Sequence, residues 1–328
     1  MLLTGKTSLT ATTQKLLSIN LWIALAPCLI KIFLLDKINK RSSTLIQNKL
    51  SFILFADDSN WFFSHSDLTF LTDTVNSELK SVVNWFRANK LSLNISKTCY
   101  MLFSNTVCDL PRKIMIDDST IVKTDCCKFL GLYIDSRLTW RNHIDYLCKI
   151  ISRNIGVLNK IKQFLPDCIL ESLYNTLVVS YINYGILAWG NSPVGNLNRL
   201  YLLQKRALRV INFANFDEHT DPFFMKHKTL KLTDMYNFQL GSLMYQSARN
   251  LLPPSINTIF TQNCEIHSHF TRQVSNYHIP FSRTSFAQNT VKYRGPKLWN
   301  SLSRELKAST KLSSFKRLFK STLLQAYY

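Results

Sequence analysis

Ser51-Phe-Ile-Leu-Phe-Ala-Asp-Asp-Ser-Asn-Trp-Phe-Phe-Ser64 is the stretch whose reading decides the fold. Two adjacent carboxylates, Asp57 and Asp58, sit between two apolar and aromatic runs of strand length, rich in the residue types that strands favour. Asp57-Asp58-Ser59-Asn60 is turn chemistry, so the simplest reading is a β-hairpin with both acids at its tip. Neighbouring carboxylates repel, and keeping both ionised needs a cation close by. Hard oxygen ligands suit Mg²⁺, which keeps several waters and sits against phosphates. A merely solvated Asp-Asp turn is the plainer alternative.

The rest of the composition is that of a folded chain. Its 328 residues suffice for about two or three domains with real cores. A hydrophobic share of 46% against 18% charged residues is a folded composition rather than a disordered one. The net charge of +20, from 40 Lys and Arg against 20 Asp and Glu, calls for a polyanion: nucleic acid or an anionic membrane surface. A basic surface that is simply solvated is the third option. Eight scattered cysteines without Cys-x-x-Cys exclude zinc-finger spacing and a secreted disulfide framework. They imply thiols in a reducing compartment, nuclear or cytoplasmic, rather than a secreted protein. His267 and His269 near Cys264 read as an ordinary loop rather than a metal site.

Upstream of the hairpin, residues 1–17 are Thr- and Ser-rich and read as loop. The apolar run 19–35 is interrupted by Pro27 and Lys31, too short for a membrane span and without a signal-peptide pattern, so a buried helix is expected there. Downstream, Val75, Leu79, Val82, Val83 and Phe86 recur at helical spacing and predict an amphipathic helix over 69–89, with Asp73 and Thr74 as starters and Asn89-Lys90 as a stop. Strand-like segments follow at 91–95, 98–103, 113–116 and 127–134. A helix on short antiparallel strands is an α+β layer.

These segments carry a family resemblance. Phe55-Ala56-Asp57-Asp58 resembles the Asp-Asp box of reverse transcriptases in the form common in non-LTR retrotransposons. Trp85-Phe86-x-x-Asn89-Lys90-Leu91-Ser92-Leu93-Asn94-x-x-Lys97-Thr98-x-x-Met101-x-Phe103 is similar to the stretch after that box in jockey-like elements. Phe129-Leu130-Gly131-Leu132-Tyr133-Ile134-Asp135-x-x-Leu138-Thr139-Trp140, with His143-Ile144 after it, is similar to their next block. Leu25-Ala26-Pro27-Cys28-Leu29-Ile30 resembles a decayed copy of the segment ahead of the box.

Beyond Trp140 the pattern is helical. The segment 143–161 carries an apolar stripe beside Lys149, Arg153, Lys160 and the nearby Lys162, and Pro166-Asp167 restarts a second helix. Tyr181-Ile-Asn-Tyr-Gly-Ile-Leu-Ala-Trp-Gly-Asn191 and Leu203-Gln204-Lys205-x-Ala207-Leu208-Arg209-x-Ile211 resemble the family's thumb region. A basic bundle of this kind grips a template–primer duplex through phosphates, which gives salt-dependent, sequence-blind affinity. The segment 230–245 reads as a helix, residues 294–303 resemble the family's C-terminal block, and 315–324 is a basic amphipathic helix suited to packing or to nucleic acid.

The resemblance implies an α+β reverse-transcriptase palm, in part, followed by a mostly α-helical thumb. The expected divisions are a degenerate palm or fingers segment at 1–50, a palm remnant at 51–140, a thumb at 141–215 and a basic C-terminal region at 216–328. It implies RNA-directed DNA synthesis with Mg²⁺, an RNA template and a DNA primer, without a small-molecule cofactor or a membrane. Asp57 and Asp58 would bind metal, Lys97 would sit near the leaving phosphates, and Lys149, Arg153, Lys160, Lys162, Lys205 and Arg209 would hold nucleic acid. Two-metal nucleotidyl transfer also needs an earlier carboxylate, which the family supplies from a Phe-x-x-Ala-Phe-Asp-like strand. The only acid before Asp57 is Asp36. The expectation is a truncated, inactive polymerase with an open sheet edge beside the hairpin. The alternatives are a non-catalytic nucleic-acid-binding remnant of a mobile element and, more remotely, a membrane-surface protein.

Overall fold

The computed structural model describes residues 15–22, 50–55, 58–104, 108–266 and 276–327. They divide between Leu138 and Thr139 into two compact units, an α+β unit and a helical one.

The first unit is built on one sheet. Its strands are β1 (Lys15–Trp22), β2 (Leu50–Phe55), β3 (Asp58–His65), β4 (Cys99–Phe103) and, after the small hairpin β5 (Met115–Ile116) and β6 (Ser119–Thr120), β7 (Val122–Lys123). The order across the sheet is β2-β3-β1-β4-β7, antiparallel throughout except for the parallel β4–β7 pair. The β2–β3 hairpin is therefore present, with Phe55 opposite Asp58.

Four expectations are corrected here. Residues 15–17 are strand rather than loop, and 19–22 are strand rather than the start of a helix; residues 23–35 of that expected helix lie outside the described residues. The edge of β3 that was expected to be open is occupied by β1, which pairs along its whole length from Lys15–His65 to Trp22–Asp58. The segment 91–95 also forms no strand, only a single bridge at Leu93 ahead of a 3₁₀ turn at Ile95–Lys97.

Helix α1 (Leu68–Ala88) covers one face of the sheet. Its start is set by Asp67, whose side chain accepts the Thr69 N–H at 2.8 Å, not by Asp73 or Thr74. Asp73 lies inside the helix and pairs with Arg112 at 2.7 Å. Leu71, Val75, Leu79 and Val83 pack on Trp61 and Phe63 of β3 and on Tyr100 and Leu102 of β4, the period-2 residues of one sheet face. Each such side chain contributes about 1.5–3 kcal/mol by leaving water. Asn76 joins helix to hairpin, donating to Lys113 O and accepting from Met115 N–H, both at 3.1 Å. The segment read as one strand over 127–134 is a hairpin, β8 (Cys126–Phe129) and β9 (Leu132–Asp135). Leu130 at φ 46° and Gly131 at φ 83° make its two-residue turn, which needs left-handed backbone at both positions.

The second unit contains α2 (Arg141–Ile161), α3 (Asp167–Tyr174) continued by a π-helical turn (Asn175–Val179), α4 (Val194–Ile211), α5 (Asp221–Lys226), α6 (Leu232–Ala248), α7 (Val291–Ser301) and α8 (Leu312–Gln325). Helices α2 and α4 run side by side in the same direction, with Arg199 bonded to Asp145 at 2.6 Å near their starts and Lys162 over Phe213 past their ends. Helix α8 lays Phe315 and Phe319 against α6, where Phe315 stacks on Tyr245 with ring centroids 4.7 Å apart. Helix α8 thus uses Phe315 and Phe319 for packing, while Leu318 stays exposed. Among the described residues no helix is long and apolar enough to cross a membrane.

Candidate functional site

The hairpin bearing the paired acids is the first candidate. Asp57 lies outside the described residues, and Asp58 opens β3. Opposite it on β1 stands Trp22, followed by the pairs Leu21–Ser59 and Asn20–Asn60. The sequence of β1, Lys-Leu-Leu-Ser-Ile-Asn-Leu-Trp, contains no acid. Among the described residues no group of three or more His, Cys, Asp and Glu side chains could hold a metal ion.

Lys97 is exposed and ends the 3₁₀ turn, whose cap is the Asn94 side chain accepting the Lys97 N–H at 3.3 Å. Strand β4 starts at Cys99 opposite Asn20, and β3 starts at Asp58 opposite Trp22. The turn bearing Lys97 and the start of β3 therefore leave the same end of the sheet, on either side of β1. Two interstrand spacings put their backbones about 10 Å apart. Linear sequence alone does not reveal this juxtaposition, because the strand between them precedes both.

The cations expected to meet nucleic acid all fall in the second unit, where residues 139–328 carry 24 Lys and Arg against 9 Asp and Glu. Lys149, Arg153 and Lys160 lie on one exposed stripe of α2, at i, i+4 and i+11. Gly156 lies on the same stripe with open space where a side chain would stand. Lys162 follows the helix and holds its ammonium 5.1 Å from the ring centre of Phe213. On α4, Lys205 sits over Tyr201 at 5.2 Å, while Arg209 is half-buried and donates through Nε to Glu218 O at 2.8 Å. The structure thus groups Lys149, Arg153 and Lys160, sets Lys162 at their end, and ties Arg209 to its own loop.

Sequence reading missed three exposed aromatic residues past the ends of α2 and α4, one of which, Phe213, lies against Lys162. Phe164, Phe213 and Phe216 are 80%, 54% and 87% exposed. Phe213 ends α4 in the left-handed region at φ 54°, where glycine is the ordinary choice, and Ala214 N–H closes the turn onto Arg209 O at 3.0 Å. Exposed aromatic rings, one of them under a cation, are what a base-stacking surface requires. The signal available in sequence was the interleaving Lys160-Ile-Lys162-Gln-Phe164, which reads equally well as the end of a packed helix.

Comparison with known proteins agrees with the motif reading. The chain is 26% identical over 211 residues to an RNA-directed DNA polymerase from mobile element jockey of Drosophila funebris, covering 63% of this chain and 22% of that protein. It is 21% identical over 231 residues to the jockey polymerase of Drosophila melanogaster, covering 68% and 25%. It is 24% identical over 181 residues to a probable RNA-directed DNA polymerase from transposon BS of Drosophila melanogaster, covering 54% and 19%. No family model matches. The chain is thus similar to RNA-directed DNA polymerases of non-LTR mobile elements over half to two thirds of its length, and spans about a fifth to a quarter of the length of these relatives.

Proposed function

We propose that this chain is a nucleic-acid-holding portion of a mobile-element reverse transcriptase, with residues 7–138 as palm and 139–328 as thumb and C-terminal region. The observation that carries the reading is the exposed stripe Lys149, Arg153 and Lys160 on α2, ending at Lys162 and the exposed phenylalanines. Three cations on one helix face, one turn and then two turns apart, meet phosphates of a duplex or strand, and the aromatic end offers stacking to unpaired bases. The likeness to RNA-directed DNA polymerases supports an RNA template and a DNA primer as the partners.

The same reading makes the 328-residue chain a binder that does not polymerise by itself. Two-metal transfer needs a second carboxylate across from the Asp-Asp tip, and β1, which pairs with β3 there, supplies Asn20, Leu21 and Trp22 instead. Since β3 already has a partner on each side, another acid-bearing strand cannot pair with it without displacing β1 or β2. Among the described residues, those paired opposite Asp58 therefore bring no second carboxylate for the Mg²⁺ pair of the family, and no chemical step is derived through it.

The test is primer extension on an RNA template with Mg²⁺, run beside salt-titrated binding of the same template–primer. Binding without extension, unchanged by Asp57→Ala, is the expected outcome. Extension that disappears in Asp57→Ala overturns the non-catalytic reading, and absence of binding at low salt overturns the proposal altogether.

A further inference from the structure

Away from the α2 stripe, the helical unit contains a cleft of about 550 Å³ between α3 with its π-helical turn, the α5–α6 connection, α6 and α8. That is within the size range of small-molecule sites. Its cations are Lys226, Lys228 and Lys320, its one acid is Glu171, and Leu230, Met235 and Phe238 give it an apolar wall.

The charge in this cleft is not balanced from within. Lys226 is engaged, donating to Asn212 Oδ1 at 3.0 Å and lying 3.6 Å from Asp167. Lys228 and Lys320 have no carboxylate within 4 Å among the described residues. Burial holds the Lys320 ammonium below its ordinary pKa, the positive charge of Lys228 adds to the effect, and Glu171 offsets it only in part. Lys228 follows α5 in the left-handed region at φ 45°, a strained backbone for a residue with a long side chain.

A second observation is independent of the lysines. The His227 side chain is 6% exposed; its Nε2 meets Asn212 Oδ1 at 3.0 Å, while its Nδ1 has no hydrogen-bond partner among the described residues. Glu171 Oε2 lies 3.4 Å from that nitrogen, near enough for charge attraction but outside hydrogen-bond geometry. A buried polar atom without a hydrogen bond in a cleft wall is destabilising unless something arrives to bond with it. The π-helical turn Asn175–Val179 contributes to the same wall, and such turns concentrate at functional sites.

We propose that this cleft binds a nucleoside monophosphate, free or at the end of a strand, with its phosphate between Lys228 and Lys320 and its ring against Phe238 and Met235. Two unpaired ammonium groups supply charge-assisted bonds to phosphate oxygens. The apolar wall accounts for a ligand larger than inorganic phosphate. The site is separate from the α2 stripe and does not depend on the polymerase reading.

The test is calorimetric titration of the full chain with AMP, adenosine and inorganic phosphate, repeated on the Lys228→Gln/Lys320→Gln double variant. Both lysines reach solvent, so the variant keeps its thermal melting profile, which is measured alongside. Expected are AMP binding that falls at least tenfold in the double variant, weaker binding of phosphate, no measurable binding of adenosine and unchanged duplex affinity. Competition between AMP and a 5′-phosphorylated oligonucleotide identifies the strand end as the source; AMP binding without competition identifies a free nucleotide. No AMP binding, AMP binding insensitive to the double variant, or adenosine binding as tightly as AMP overturns the proposal. So does AMP binding lost when Lys149, Arg153 and Lys160 are neutralised, because that assigns the nucleotide to the α2 stripe.

Discussion

The side-chain carbonyl of Gln204 accepts the backbone N–H of Leu232 at 3.0 Å, and its amide donates to Leu230 O at 2.9 Å. This fully buried glutamine on α4 thereby satisfies two backbone groups at the entry to α6. Its place in the family-like stretch Leu203-Gln204-Lys205 has a structural reason, while its neighbour Lys205 lies over the Tyr201 ring.

Replacing Gln204 by Leu leaves the Leu232 N–H and the Leu230 carbonyl buried without partners. A loss of about 2–4 kcal/mol is expected, read as a lower urea midpoint at unchanged slope. Lys205→Ala removes one half-exposed cation–π contact and costs less than about 1 kcal/mol. Equal losses in the two variants would contradict the assignment.

Neutralising Lys149, Arg153 and Lys160 together leaves stability within about 0.5 kcal/mol, because all three are exposed. Duplex binding weakens, and the slope of log affinity against log salt flattens by roughly 2.7 if each cation meets one phosphate. Phe164→Ala with Phe216→Ala acts on single strands instead, lowering affinity by about 1–3 kcal/mol per stacked base with little change in the salt slope. Fluorescence anisotropy at four salt concentrations separates the two effects.

Two helical glycines respond oppositely to alanine. At Gly156 nothing lies within 4 Å of the added Cβ, so Gly156→Ala stabilises the unit by up to about 1 kcal/mol through helix propensity. At Gly241 the Cβ arrives 2.5 Å from Phe319 Cε1, a buried ring stacked on Phe238 and packed on Phe315. Overpacking there costs about 1–3 kcal/mol despite the better helix former. Thermal denaturation of both variants in one buffer checks the difference in sign.

His143 is buried beside Trp189, with ring centroids 5.6 Å apart, and burial lowers its pKa to about 4 from the ordinary 6.5. The unfolded chain therefore takes up a proton at a higher pH than the folded one. Stability from this group is complete above pH 6.5 and declines as pH falls towards 4, by about 3 kcal/mol in all. His143→Gln removes that part of the acid dependence and flattens the midpoint-against-pH curve between those values. A curve of unchanged slope in the variant would place the acid sensitivity elsewhere.

The α+β layer could be read from sequence where its pattern is local. The helical spacing of Val75, Leu79, Val83 and Phe86 and the strand-like run on either side of Asp57 and Asp58 point to elements that the structure contains, whereas the turn at Gly131 splits a segment that reads as one strand. Cation positions along α2 were equally legible, because Lys149, Arg153 and Lys160 follow helical periodicity. What sequence left open was every choice made by a partner far along the chain. Strand β1 reads as loop and helix because a short apolar run has no period of its own, and only pairing with β3 and β4, about 40 to 90 residues later, makes it a strand. That pairing closes the edge beside the hairpin and sets Trp22, not a carboxylate, opposite Asp58. Tertiary structure also decided which charges have partners. Arg209 is tied to the Glu218 carbonyl by a loop, Lys228 and Lys320 converge from segments about 90 residues apart, and Phe164, Phe213 and Phe216 are left exposed. Local spacing sets which face a residue can join; whether that face is buried, paired or free depends on what the rest of the chain brings against it.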